Sequence, residues 1–225
     1  MNYSTNARPA CSGSRSSDSI DWRRVIRRGP AGIASAASAR TCAGGRIGIR
    51  SAWKEWHNGI GMKVIAIDPG PTESAVVEYH CGSKSVIASG KYPNDKLIDM
   101  LLHHKTCGDE AWAAIEMIAS YGMPVGREVF ETCVWIGRYV QAWGSDVDLV
   151  YRKEVKMHLC GTTTAKDANI RQALIDMFGP GKENAIGLKK SRGPLYGISG
   201  DCWAALAVAV TWADRRAPVS SVKTA

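Results

Sequence analysis

The chain has 225 residues, of which 45% are hydrophobic and 22% are charged, and its formal net charge is +8 at pH 7. This is the composition of an ordinary globular protein with one domain and appendages, or at most two small domains. No stretch approaches the roughly 18 uninterrupted apolar residues that a membrane-spanning helix needs, so no membrane partner is expected.

The positive charge is concentrated in the first quarter of the chain. Residues 1–61 hold ten Lys or Arg and three Asp or Glu, which gives +7, whereas residues 62–225 hold nineteen basic and eighteen acidic residues, which gives +1. The 1–61 segment is rich in Ser, Ala, Gly and Arg and has no sustained period, so we predict a disordered basic extension. An organellar transit peptide is one alternative, and a mis-assigned start with Met62 as the true first residue is another.

The seven cysteines are scattered and form no Cys-x-x-Cys pair, and the five histidines lack ligand spacing. This pattern favours reduced thiols, most of them small core residues, in an intracellular protein, and it argues against a zinc site.

From Met62 onward the pattern becomes regular. β-branched apolar runs between turn residues predict strands, and apolar residues at steps of three and four predict helices. The predicted strands are 63–68, 74–79, 85–91, 111–118 and 147–151; the predicted helices are 95–105, 126–143, 153–159, 165–178 and 201–214. Residues 179–200 are predicted to form a Gly- and Lys-rich loop, and 215–225 a short flexible tail.

This order of elements predicts the fold class. Three sequential strands, followed by strands that alternate with helices, fit a five-stranded mixed sheet covered by helices on both faces. We therefore predict an α/β domain over residues 62–214.

Three acidic residues stand where apolar residues are expected. Asp68 ends a buried strand, Glu116 interrupts another, and Asp201 opens a helix with no charge between Cys202 and Trp212. Buried carboxylates need a partner, and a cluster of them selects a hard cation such as Mg²⁺ or Mn²⁺. Taken singly, Asp68 fits a turn-initiating residue, Glu116 a solvent-facing strand end, and Asp201 a helix N-terminal charge.

The same residues resemble a known family. The segments 66–70 (AIDPG), 114–116 (AIE), 161–166 (GTTTAK) and 200–209 (GDCWAALAVA) are similar, in this order, to motifs of RuvC-type Holliday junction resolvases in the RNase H-like superfamily. The similarity covers about 62–214. It departs at Ala204, where a fourth carboxylate is expected, at Ala119, where an aromatic residue is expected, and in the longer loop 179–200.

The resemblance implies an RNase H-like nuclease that hydrolyses phosphodiesters in branched DNA with two Mg²⁺ or Mn²⁺ ions about 4 Å apart. Asp68 would bridge both ions, and Glu116 and Asp201 would bind one each. Lys166 is the candidate to neutralise the phosphate, although it also fits a solvated lysine. The resemblance further implies a cytoplasmic, bacterial or phage-encoded protein and a two-fold homodimer through the 126–143 helix.

Candidate nucleic-acid contacts lie on two loops. Tyr121 follows the glutamate strand and could stack on a base, or simply pack on the sheet edge. Lys182, Lys189, Lys190 and Arg192 form a basic cluster that leads into Asp201, opposed only by Glu183; a solvated, disordered loop is the alternative.

Two other functions remain open, and a third is excluded by length. One is a nuclease of the same fold that acts on RNA, flaps or single strands. Another is a nucleic-acid-binding module that lost catalysis, which Ala204 makes conceivable. An actin-like phosphotransferase also places Asp after a strand, but it needs two such domains, and this chain is too short.

Overall fold

The computed structural model describes residues 62–106, 111–144 and 147–216. The predicted 1–61 extension lies outside the described residues, as does the predicted tail except for Arg215 and Arg216, which belong to the last helix. The strands are β1 (Lys63–Asp68), β2 (Glu73–His80), β3 (Ser85–Pro93), β4 (Trp112–Met117) and β5 (Val147–Tyr151). The helices are α1 (Asn94–Thr106), α2 (Arg127–Trp143), α3 (Arg152–Cys160), α4 (Asp167–Phe178), α5 (Lys182–Ala185) and α6 (Cys202–Arg216).

The five strands form one mixed sheet in the order β3-β2-β1-β4-β5. β2 is antiparallel to both β1 and β3, whereas β1, β4 and β5 run parallel. The predicted α/β fold, a five-stranded mixed sheet flanked by helices, is confirmed.

Helices cover both faces because the strand side chains alternate in direction. Val64 and Ala66 of β1 belong to the core under α3, α4 and α6, whereas Ile65 and Ile67 belong to the core under α1 and α2. α6 crosses β1, β2 and β4. Its residues from Cys202 to Ala213 are buried except for Ala204, which explains why this segment carries no charge.

A buried polar network holds the turn that follows β1. The Ser74 hydroxyl donates to the Asn94 side-chain oxygen at 2.8 Å and lies 2.9 Å from the Tyr139 hydroxyl. The Asn94 amide donates to the Gly70 carbonyl at 2.9 Å, and the Gly70 N–H donates to Ser74 at 3.2 Å. Asn94 thus ties α1 to the turn directly after Asp68.

A second set of contacts fastens the carboxyl end of α6 to β5. Asp148 accepts hydrogen bonds from the Trp212 indole and from the Arg216 guanidinium, both at 2.6 Å. The guanidinium also lies over the rings of Trp112 and Trp212, 4.8 and 5.0 Å from their centroids. The orientation of α6 on the sheet is therefore fixed at this end.

Three details differ from the sequence predictions. On α2 the buried residues are Thr132, Ile136 and Tyr139, while Cys133, one of the apolar residues at steps of three and four that predict the 126–143 helix, is exposed. Among the four cysteines that the structure describes, Cys202 is buried and Cys81 and Cys160 pack partly buried against the core, so the predicted core role fails only for Cys133. The 179–200 loop is folded and contains α5.

In the described residues, no helix is both long and apolar enough to span a membrane.

Candidate active site

Asp68 and Glu116 lie side by side at the carboxyl ends of two central strands. Ile67 of β1 pairs with Ile115 of β4, so the next residue of each strand falls on the α6 side of the sheet. The two carboxyl groups are hydrogen-bonded to each other. Glu116 is only 8% exposed, so the reading of this residue as a solvent-facing strand end is wrong.

Asp201 joins this pair from the amino end of α6. Its backbone carbonyl accepts hydrogen bonds from the N–H groups of Ala204 and Ala205, which places it at the start of the helix. Its carboxylate is close enough to raise the pKa of Asp68 through electrostatic repulsion. The structure therefore brings the three predicted acids to one side of the sheet, while Asp201 remains half-exposed.

Two basic residues neutralise the acids in this arrangement. Arg152, the first residue of α3, contacts the Glu116 carboxylate at 3.3 Å and the Asp167 carboxylate at 2.6 Å. Lys91 of β3 contacts Asp201 at 2.8 Å and Glu73 at 3.8 Å. The pocket therefore contains its own counter-ions.

Burial and like charge shift the pKa values of the two inner carboxyls. Burial, reinforced by the charge of Glu116, raises the pKa of Asp68 to about 7. Burial also raises the pKa of Glu116, although Arg152 opposes this shift. Near neutral pH the Asp68–Glu116 pair consequently keeps a proton between its carboxyl groups.

This raised pKa predicts how the stability of the metal-free protein varies with pH. Above about pH 4 the unfolded chain has lost the Asp68 proton, whereas the folded protein still holds it. The free energy of unfolding should therefore fall as the pH rises from about 4 to 7. Asp68 contributes up to about 1.4 kcal/mol per pH unit to this fall. Asp68→Asn should flatten this slope. Urea unfolding in EDTA at pH 5, 6, 7 and 8 measures it; an equal slope in both proteins would contradict the shift.

The donor set of the pocket suits a divalent metal ion. The groups that meet there are carboxylate oxygens, which are the hard ligands preferred by Mg²⁺ and Mn²⁺, and their mutual repulsion favours an added cation. In the described part of the chain, no three His, Cys, Asp or Glu side chains already surround one point closely enough to hold a metal. Asp201 is turned toward Lys91, and Glu116 toward Arg152, so these contacts would exchange for metal contacts.

Two other predicted residues are linked to the three acids indirectly, through Asp167 and through the residue that follows Arg152. Lys166 precedes α4 and is exposed, and its backbone N–H donates to Asn169 at 3.0 Å. Within the ranges that the structure covers, no ion pair joins its ammonium to the three acids. Tyr121 is 48% exposed with a positive φ of 48°, and the Lys153 ammonium lies 3.4 Å from its ring centroid.

The predicted basic residues lie on the folded 179–200 segment. Lys182 opens α5, Lys189 and Lys190 are exposed at a turn, and the Arg192 guanidinium lies 4.9 Å from the ring centroid of Tyr196. The alternative of a disordered loop is wrong for this segment.

Sequence reasoning missed Arg152, Lys91 and Asp167. The position of Arg152 near Glu116 could have been predicted from the sequence. Arg152 directly follows the strand that neighbours that of Glu116, and the carboxyl ends of parallel strands meet at one end of a sheet. The position of Lys91 could not, because its approach to Asp201 depends on how β3 and the start of α6 lie in the folded chain.

Comparison with known proteins gives distant likenesses among solved structures. No family model and no curated relative matches the sequence. Among solved structures, the chain is similar to Thermus thermophilus RuvC, with a TM-score of 0.48 and 17% identity over 67% of this chain and 92% of that one. The same RuvC in complex with a Holliday junction substrate gives 0.47 and 16% over the same shares. A Ppx/GppA family protein of Aquifex aeolicus gives 0.28 and 15%, over 44% of this chain and 38% of that one.

Proposed function

We propose that this protein is a divalent-metal-dependent endonuclease that hydrolyses phosphodiesters in branched DNA. The observation that supports this most directly is the meeting of Asp68, Glu116 and Asp201 beside the carboxyl ends of β1 and β4, where burial raises the pKa of both Asp68 and Glu116. Buried like charges of this kind are costly unless a cation joins them. Perturbed carboxyls in one pocket are also typical of catalytic sites.

In this proposal Asp68, Glu116 and Asp201 hold two Mg²⁺ or Mn²⁺ ions, which activate the attacking water and stabilise the leaving oxygen when they are bound. Asp68, on which the charges of both other acids act, would release its proton and offer its carboxylate oxygens. Arg152 and Lys91 are then released from Glu116 and Asp201 and stay beside the reacting phosphate as positive groups. Lys166, which directly precedes Asp167, is the proposed third positive group.

The test of this proposal is a cleavage panel. The protein is incubated with a labelled four-way junction, a flap, a linear duplex and an RNA–DNA hybrid, each with Mg²⁺, Mn²⁺ or EDTA. Metal-dependent cuts that are fastest on the junction are expected. Faster cleavage of the hybrid or the flap would instead favour another nuclease of the same fold, and the absence of cleavage on every substrate would contradict the proposal.

One contact favours a second candidate, a nucleic-acid-binding module without catalysis. The Lys91 ammonium holds Asp201 at 2.8 Å, and Ala204 supplies no fourth carboxylate, so the pocket has a stable arrangement without metal. Metal titration by calorimetry distinguishes the two candidates. A nuclease should bind Mn²⁺ in this pocket, whereas an inactive module should bind the junction equally well in EDTA and show no heat with Mn²⁺.

The basic turn is proposed to hold the DNA backbone. Replacing Lys189, Lys190 and Arg192 together with Ala should reduce the slope of log affinity against log salt by about 2 to 3, because each phosphate contact contributes about 0.9 to that slope. Fluorescence anisotropy with a labelled junction measures this slope. The titrations are made in Ca²⁺ at about 50 to 300 mM NaCl, where phosphate contacts strongly affect affinity. An unchanged slope would remove this turn from the interface.

A homodimer is proposed through the outer face of α2. Phe130 and Val134 lie one helical turn apart and are 61% and 62% exposed, which leaves an apolar strip in water. Such a strip suits a two-fold contact with a second copy. Sedimentation velocity should give twice the chain mass, and Val134→Glu should give the monomer; a monomeric wild-type protein would contradict the dimer.

A further inference from the structure

Residues 187–192 form a small hairpin with Lys189 and Lys190 as its two turn residues. The N–H groups of Leu188 and Ser191 each donate to the carbonyl of the other residue, at 2.8 and 3.0 Å. Gly187 and Arg192 form the antiparallel bridge next to them. This exchange of paired backbone bonds defines a two-residue turn and gives the segment one fixed shape.

The base of the 187–192 hairpin is fixed in the protein core. The Gly193 N–H donates to the Ile186 carbonyl at 2.9 Å, and the Leu195 N–H donates to the Ala185 carbonyl at 2.8 Å. Ala185 and Leu195 are fully buried beneath α6. Gly187 has a φ of 72°, and a Cβ there would collide with the Ser191 carbonyl oxygen, so this close approach requires glycine. The hairpin is therefore a rigid projection.

Leu188 is the feature of this hairpin that the folded domain does not use. Its side chain is 75% exposed, more than that of any other large hydrophobic residue in the described ranges. A single exposed leucine is common on a protein surface. This one, however, sits on a fixed hairpin among Lys189, Lys190 and Arg192. The same segment leads to Asp201, nine residues after Arg192.

We propose that Leu188 is a wedge that enters between bases where a DNA branch opens, while the lysines beside it bind the flanking phosphates. This inference rests on the proposed function, since it names how the same protein would recognise an opened branch. An apolar side chain inserted between base steps unstacks them, and that cost is least where pairing is already interrupted. A basic surface alone would bind any duplex, so the wedge would supply the preference for a branch point.

The chemistry of the partner follows from this combination. Lysine and arginine at a turn attract a polyanion, and a leucine held among them needs an apolar contact that phosphates do not provide. The faces of unstacked bases offer such a contact beside phosphates. Branched or locally unpaired DNA therefore fits the 187–192 hairpin better than an intact helix does.

The experiment places 2-aminopurine at the centre of a four-way junction and, separately, inside a linear duplex of the same sequence. Binding is measured in Ca²⁺ so that cleavage does not interfere, with full-length wild-type, Leu188→Ala and Leu188→Met proteins. Leu102→Ala serves as the matched control, because Leu102 is also exposed, at 45%, but lies on α1. Circular dichroism and thermal unfolding check that each variant is folded.

Wild-type, Leu188→Met and Leu102→Ala proteins should raise the junction fluorescence at least about twofold as the base unstacks, whereas Leu188→Ala should lose most of this rise. The affinity of Leu188→Ala for the junction should fall by less than about tenfold, because the phosphate contacts remain. A full fluorescence rise with Leu188→Ala overturns the wedge and leaves the nuclease proposal standing. Failure of the wild-type protein to bind the junction overturns both.

Discussion

Asp68→Asn is expected to reduce metal-dependent cleavage by at least about a thousandfold, which corresponds to about 4 kcal/mol of transition-state stabilisation. The charges of both Glu116 and Asp201 act on Asp68, so in the proposed mechanism Asp68 would contact both ions. Asparagine keeps the shape of the side chain but loses the negative charge and one oxygen ligand. Single-turnover cleavage of the labelled junction in Mg²⁺ measures the effect.

A matched control substitutes an aspartate away from the three acids. Asp176→Asn makes the same chemical change on the exposed side of α4, where Gln172 donates to the carboxylate at 2.8 Å, and it should leave the rate unchanged. Asp68→Asn should also be at least as stable as the wild-type protein above pH 7 in EDTA, since the substitution removes repulsion between buried carboxylates. Cleavage at the wild-type rate by a folded Asp68→Asn protein would refute the assignment of the pocket.

The second large effect is expected for Arg152→Gln. Arg152 bridges Glu116 and Asp167 at 3.3 and 2.6 Å, and Glu116 is buried. Removing one partner of a buried ion pair costs about 3–5 kcal/mol, and about 2 kcal/mol is expected here because Arg152 is partly exposed and Glu116 can take up a proton. Chemical unfolding in EDTA at pH 7 measures this loss.

Metal ions should restore part of the stability that Arg152→Gln loses. A divalent cation supplies the positive charge that Glu116 then lacks, so Mg²⁺ or Mn²⁺ should raise the melting temperature of the variant more than that of the wild-type protein. Arg127→Gln is the matched control, because Arg127 pairs with Glu131 at 2.6 Å on the exposed side of α2. It should change stability by less than about 0.5 kcal/mol. Equal behaviour of the two variants would show that Arg152 is no counter-ion of the pocket.

The sheet was predictable because its strands are defined by local pattern. The run from Lys63 to Asp68 is apolar and β-branched and ends at Pro69, so both its type and its end were correctly assigned. α6 was predictable for a related reason, since an uncharged run of this length must be buried. In both cases neighbouring residues contain the information.

The meeting of the acids was predictable only in part. Asp68 and Glu116 each end or interrupt an apolar strand, and parallel neighbours in the sheet bring such positions together. Lys91 and Arg152 become their partners through contacts between elements distant in sequence, which no local period records. Placing these two side chains requires the folded sheet.

The 179–200 segment shows where local pattern misleads. Its glycines and lysines are typical of a loose loop. In the protein, however, Gly187 and Gly193 occupy positions where a side chain would collide with backbone, and Leu195 is anchored in the core. Here glycine marks tight backbone packing, which composition alone cannot distinguish from flexibility.

The fastening of α6 by Asp148, Trp212 and Arg216 has a practical consequence for experiments. α6 has 15 residues and thus spans about 22 Å, with Asp201 before one end and the Asp148 contacts at the other. A fluorophore or a surface tether attached near Arg215 would accordingly lie at a nearly constant distance from Asp201, and so from DNA bound at the proposed site. In distance measurements on single molecules, the length of α6 would then serve as an internal reference.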